Sequence, residues 1–163
     1  MNGRRREVLD LLRENARYTA EDIARLTDLD EDEVERTIRD LEEAGVLRGY
    51  QAVVDWSRVD DERVRAEVEL NVSLDRETGY DDIAKRLQQF PRVRTLRLIS
   101  GDYDFYMEVE GDSLESVSRF ISEEVAPVPE ITQTVTHYVM TSYKEDGIEF
   151  DTDSEDDRLS FSP

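Results

Sequence analysis

Two groups of residues have the types and spacing to do chemistry. The first is Gly101-Asp102-Tyr103-Asp104. Glycine allows a ligand to approach the backbone closely, and two carboxylates could hold an ammonium group. Gly-Asp is also ordinary turn chemistry, so the same four residues suit a plain connection between strands. Downstream, Thr132, Thr134 and Thr136 recur at every second position. Hydroxyl ligation would use that spacing, and so would simple β-propensity on a half-buried surface. The second group is Glu31, Asp32, Glu33, Glu35, Arg36 and Arg39, outward positions on a helix that would start after Asp30. Outward side chains near the start of such a helix can reach base edges in a major groove. Four of these six are acidic; a carboxylate can accept from a cytosine amino group, but phosphates repel it. Arg4, Arg5, Arg6, Arg17, Arg25, Arg36, Arg39 and Arg48 supply the nearby positive charge.

Catalytic and metal constellations are missing from the sequence. His137 is the one histidine, there is no cysteine, and neither a phosphate-binding glycine loop nor a nucleophile elbow occurs. An enzyme built on Asp102 and Asp104 would lack a base, a nucleophile and a metal set. No cofactor and no metal are therefore expected.

The elements that must position these residues fall into two runs. Val8, Leu9, Leu11 and Leu12 mark a first helix from Arg4 to about Asn15. Thr19 three residues before Asp22 is a capping-box variant, and Ile23 and Leu26 follow at i, i+3. After Thr27-Asp28-Leu29, Asp30 is the N-cap of a third helix whose Val34, Ile38 and Leu41 point inward. Gly45 ends it, and two short strands, 46–48 and 50–54, would flank Gly49. This is the order of a winged helix-turn-helix, over residues 1–55. A small helical protein-interaction domain is the plainer alternative. Residues 56–62 read as a linker.

From residue 63 the period changes to two. Val64, Ala66, Val68, Leu70 and Val72 alternate with polar residues. A helix over 80–90 follows, then strands over 93–99 and 103–109, a helix over 113–125 with Leu114, Val117, Ile121 and Val125 on one side, and a strand over 131–143. The order β-α-β-β-α-β predicts a ferredoxin-like domain over 63–146, so the fold class is α+β. Residues 147–163 read as an acidic tail without fixed structure.

The charge is extreme: 41 acidic against 21 basic residues, net −20, with Lys85 and Lys144 the only lysines. The acids are spread along the chain, which fits a solvated surface better than one block that mimics nucleic acid. Scarce lysine with abundant acid is similar to proteins of salt-accumulating halophiles, archaeal ones included, whose cytoplasm screens charge within a few ångströms. No apolar run approaches a membrane span, and no apolar stretch follows the basic start, so a cytoplasmic protein without a leader is expected.

Leu41-Glu42-Glu43-Ala44-Gly45-Val46, Arg48-Gly49-Tyr50 and Ala52-Val53-Val54-Asp55 resemble the end of the helix-turn-helix of Lrp/AsnC (feast/famine) regulators. Ser100-Gly101-Asp102-Tyr103-Asp104 resembles that family's hallmark loop. The resemblance implies a transcription regulator of amino-acid or nitrogen metabolism that binds double-stranded DNA. It implies homodimers with sheets packed face to face, often assembled into octamers, and amino-acid effectors held between sensing domains. Gly101, Asp102, Tyr103 and Asp104 would then surround the effector, with Gly101 and Asp104 at its α-amino end. Thr134 and Thr136 of a neighbouring subunit would complete the pocket. DNA contacts would fall to Arg4, Arg5, Arg6, Asp32, Glu33, Glu35, Arg36, Arg39 and Arg48. Asp30, Asp32, Glu33 and Glu35 depart from the Ser, Thr and basic residues usual there. That departure opens an alternative, an amino-acid-sensing co-regulator with weak or no DNA binding that works through mixed oligomers.

Overall fold

A computed structural model describes residues 3–60 and 63–150. The chain divides into two compact units, with the break between Val53 and Val54.

The first unit holds three helices, α1 (Gly3–Glu14), α2 (Ala20–Leu26) and α3 (Glu31–Glu43). Both expected caps form. Thr19 accepts from the Asp22 amide while the Asp22 carboxylate accepts from the Thr19 amide, and Asp30 accepts from the Glu33 amide at 2.7 Å. Two amide-to-carbonyl bonds close α3, Gly45 to Glu42 and Val46 to Leu41, both 2.9 Å. They place Gly45 at φ +65°, the left-handed turn that commonly ends a helix. Val8, Leu12, Ile23, Leu29 and Val34 form the core, with Ile38 and Leu47 packed against it. Leu26 points to solvent instead of joining Ile23, so the apolar stripe of α2 is one residue narrower than its spacing suggests.

The expected wing strands do not form. Residues 46–54 have no strand ladder, and among them Leu47 packs on the core while the Tyr50 hydroxyl donates to Glu42 at 3.0 Å. Two strands with no third neighbour and one apolar anchor are marginal, which accounts for the difference.

The second unit starts with a 3₁₀ turn at Trp56–Arg58 inside the expected linker. The Arg63 guanidinium lies 4.3 Å from the Trp56 ring centre. A four-stranded antiparallel sheet follows, in the order β2 (Val93–Leu98), β3 (Phe105–Gly111), β1 (Val64–Val72), β4 (Ile131–Tyr138). The connecting helices α4 (Tyr80–Leu87) and α5 (Leu114–Phe120) supply the other half of its core. α5 continues as one π-helical turn, Ile121–Val125. Ala66, Val68 and Leu70 of β1 meet Phe105, Met107 and Val109 of β3 and Ile83, Leu87, Val117 and Val125 of the helices, all buried. Leu114 stands outside this core, exposed at the start of α5.

The last long strand ends at Tyr138 rather than Tyr143. Lys144–Glu145 (β5) and Ile148–Glu149 (β6) then pair as a hairpin across Asp146-Gly147. Both turn residues have positive φ, +47° and +87°, as a two-residue hairpin turn requires. Residues 147–149, expected to open the acidic tail, belong to this hairpin instead, and residues 151–163 lie outside the described ones.

Gly111 ends β3 directly under α5. A Cβ there would sit 2.7 Å from Ser116 Oγ and 2.8 Å from Val117 Cγ2. Gly111→Ala is expected to destabilise this unit by about 1–3 kcal/mol, the usual cost of overpacking. Urea unfolding followed by the fluorescence of Trp56, the single tryptophan, reads that unit alone.

Candidate functional sites

In the first unit α3 presents Asp32, Glu35, Arg36 and Arg39 to solvent. Its acidic first turn has a local cause, since carboxylates at a helix N-terminus interact well with the helix dipole. Two arginines of α1 cross to α3: Arg4 Nη1 lies 2.7 Å from Glu33, and Arg5 Nη2 lies 2.7 Å from Asp40. Arg6 pairs within α1 with Asp10 at 3.7 Å. The Arg36 Nε donates to the Asp32 carbonyl of its own helix at 3.0 Å. Among the described residues Arg39 and Arg48 have no carboxylate partner, and the Arg48 guanidinium rests over Gly45. Asp32, Glu33, Glu35, Arg36 and Arg39 thus lie on α3, Arg4 and Arg5 are tied to its acids, Arg48 follows its end, and Arg6 stays paired along α1. Such exposed pairs contribute about 0–1 kcal/mol each, little enough for a phosphate to displace them.

In the second unit the 99–104 loop is closed by the Ile99 amide donating to the Asp104 carbonyl at 2.9 Å. Gly101 has φ +137°, a conformation side chains rarely adopt, and Gly101 and Asp102 are exposed. Asp104 is half-buried and already engaged. Its Oδ2 accepts from the Val72 amide at 2.9 Å, and its Oδ1 accepts from the Tyr80 hydroxyl at 3.0 Å. That hydrogen bond, with the charge of Asp104 adding to it, holds the Tyr80 phenol above its usual range. Tyr80 also meets Phe105 edge to face, with ring centres 5.9 Å apart. Both rings, with Asp81, Ala84, Leu96 and Leu98, line a cavity of about 360 Å³ between α4 and β2. That is the lower range of small-molecule sites.

Thr134 and Thr136 lie opposite Leu70 and Val68 in the ladder and share their helix-covered face. Strand β1 separates them from the loop within one chain. Thr132 falls at a register shift, and its hydroxyl donates to the Asn71 carbonyl at 3.1 Å. It is therefore not equivalent to the other two threonines. Tyr80 was not singled out from the sequence, because its bond to Asp104 spans 24 residues and nothing local marks it. A second cavity, about 330 Å³, lies among Trp56, Arg65, Met140, Glu145 and Phe150.

The chain matches the Lrp/AsnC ligand binding domain over residues 65–148 and a winged helix-turn-helix DNA-binding domain over residues 1–48. The HTH-type transcriptional regulator YugG of Bacillus subtilis is 35% identical over 158 residues, which cover 96% of this chain and 95% of that protein. This chain belongs to the Lrp/AsnC family. It is a DNA-binding transcriptional regulator with a ligand-binding domain, and its relatives are regulators rather than enzymes. Two solved structures share the fold at low identity. The leucine response regulatory protein of Mycobacterium tuberculosis superposes with TM-score 0.73 at 21% identity, covering 90% of this chain and 97% of that one. A transcriptional regulator of Neisseria meningitidis, crystallised with L-methionine, gives 0.69 at 19%, covering 89% and 93%. Among the described residues no helix is long and apolar enough to cross a membrane.

The sheet face of this Lrp/AsnC domain that lies away from α4 and α5 is crowded with charge. Glu67 and Glu108 stand directly opposite each other in the ladder, a repulsive pairing. Arg65 answers Glu110 at 3.1 Å and Glu145 at 2.8 Å, and Arg94 approaches Glu110 at 3.2 Å. His137 lies 3.3 Å from Glu69. Burial pushes the Tyr106 hydroxyl up to about 12, helped by its bond to Glu67 and the charges of Glu67 and Glu108. Burial also raises the Glu108 carboxyl, against Arg65 and with Glu145, Glu110 and Glu67 adding to it.

A carboxyl raised on folding contributes stability at low pH and loses it as pH climbs through the raised value. Asp22, Asp55, Asp75 and Glu130 are lowered by hydrogen bonds and contribute in the opposite sense, losing stability in stronger acid. The melting temperature is expected to rise from neutral pH to mild acid and to fall below the ordinary carboxylate range. Glu108→Gln should raise it at neutral pH and shrink the gain in mild acid, as differential scanning calorimetry across pH would show.

Proposed function

We propose that this regulator senses a free amino acid and controls genes of amino-acid or nitrogen metabolism as a homo-oligomer. The supporting observation is the Gly101–Asp104 loop: an exposed glycine and a half-buried carboxylate beside a cavity of amino-acid size. An α-amino group suits Asp104, as a charge-assisted donor to a carboxylate. The methionine in the Neisseria relative is consistent with that ligand class. Thr134 and Thr136 would serve a neighbouring subunit's ligand, since β1 keeps them from their own loop. The abundance of acid and scarcity of lysine suit work in concentrated salt.

A second reading, a co-regulator with weak or no DNA binding that joins mixed oligomers, draws on the Arg4–Glu33 and Arg5–Asp40 pairs. One experiment separates the two. In a mobility-shift assay in molar KCl with the DNA upstream of its own gene, the regulator should protect a discrete site unaided. Arg39→Ala should weaken that binding on all sequences alike and reduce the salt slope by about 1. No shift at any salt would favour the co-regulator.

For the ligand, a melting-temperature screen of the twenty amino acids in molar KCl should find at least one that stabilises the second unit. Asp104→Asn should cut the rise. Stabilisation undiminished by that change would move the ligand away from the loop.

A further inference from the structure

We propose that the Tyr80 hydroxyl is the ligand's competitor for Asp104, so that an amino acid binds by displacing the first residue of α4 from that carboxylate. The inference rests on the amino-acid reading above and adds how the site is gated.

The two oxygens of Asp104 are held in different ways. Oδ2 is bonded to the backbone amide of Val72, at the point where the β1–β4 register breaks. Losing that bond would leave the Val72 amide, at the end of the central strand, without this acceptor. Oδ1 is bonded to a side chain, the Tyr80 hydroxyl, and a ring can rotate away without disturbing a ladder. Oδ1 is therefore the exchangeable position. Tyr80 is the first residue of α4, directly after the extended N-cap Gly79, where the helix constrains it least. It also lines the cavity, so the ring that blocks Oδ1 is in reach of whatever enters.

The exchange is favourable on chemical grounds. Both donors make a charge-assisted bond to the carboxylate, but the ammonium group also brings a full positive charge, so the exchange adds an ion pair that the neutral phenol cannot supply. Asp81 lines the same cavity and adds negative potential for the incoming cation. The free protein meanwhile keeps Oδ1 satisfied, which avoids the cost of a half-buried carboxylate oxygen without a partner. Binding thus swaps one partner for another, and the released ring carries the signal into α4, which packs on β2.

Tyr80→Phe removes the hydroxyl and keeps the ring against Phe105. A purely structural role predicts that the variant melts lower and binds ligand no better. Competition predicts opposite signs: a lower melting temperature without ligand, but affinity raised about tenfold, since the ligand no longer breaks a hydrogen bond to a charged group. Isothermal calorimetry of wild type and variant with each of the twenty amino acids, in molar KCl, reads this directly. Equal or weaker binding by the variant overturns the inference and leaves the amino-acid reading standing. No binding by either protein overturns both.

Discussion

Strand β1 is bonded on both sides, to β3 and to β4, and its Ala66, Val68 and Leu70 are fully buried. That double pairing fixes where everything else in the ligand-binding unit can go. Because side chains alternate, a one-residue slip would send three apolar residues to the charged face and Glu67 and Glu69 into the core. The register is thereby locked, and it carries Asp104 to the end of the strand, beside the Val72 amide. The proposed ligand site thus lies at the end of a doubly paired strand, where the ladder runs out and a carboxylate takes over as hydrogen-bond acceptor. Precision comes from the strand, and adaptability from the loop and from α4.

Much of this was readable in the residue order, and the parts that were not share a cause. Alternation over 64–72 identified the core face of β1 because period two has a single physical meaning. Thr19, Asp22, Asp30 and Gly45 marked helix ends through local bonds, which depend on neighbours three or four residues away. Leu26 and Leu114 show the limit of periodicity: spacing tells which side of a helix is apolar, but the packing partner sets how wide that side is. The Asp146-Gly147 turn carried a legible hairpin signal, hidden because the flanking strands are two residues long. The bonds that define the sites, Tyr80 to Asp104 and Arg4 to Glu33, join residues 24 and 29 apart. No local rule selects such a partner among 41 acids. Even the loop motif showed where a ligand could bind without showing what already occupies the carboxylate.

The two halves of this regulator handle charge differently. In the ligand-binding unit, carboxylates are placed where burial and neighbours raise or lower them, and arginines such as Arg65 bridge two acids at once. In the helix-turn-helix, the pairs are exposed and simple, and the acids of α3 serve the helix itself through its N-terminus. An acidic reading helix is therefore compatible with a stable domain, and its consequence falls on the encounter with DNA.

That consequence follows from the Arg4–Glu33 and Arg5–Asp40 pairs. A basic protein binding DNA expels condensed cations, and the gain in ion entropy drives association. Under the proposed contacts, each of these arginines that turned to a phosphate would leave a carboxylate behind, facing the same polyanion, and that carboxylate would recruit a cation from solution. Ions would then be released from the DNA and taken up by the protein in one step, and association would take on the character of a cation exchange, with the dissolved cation a reactant as well as a screen.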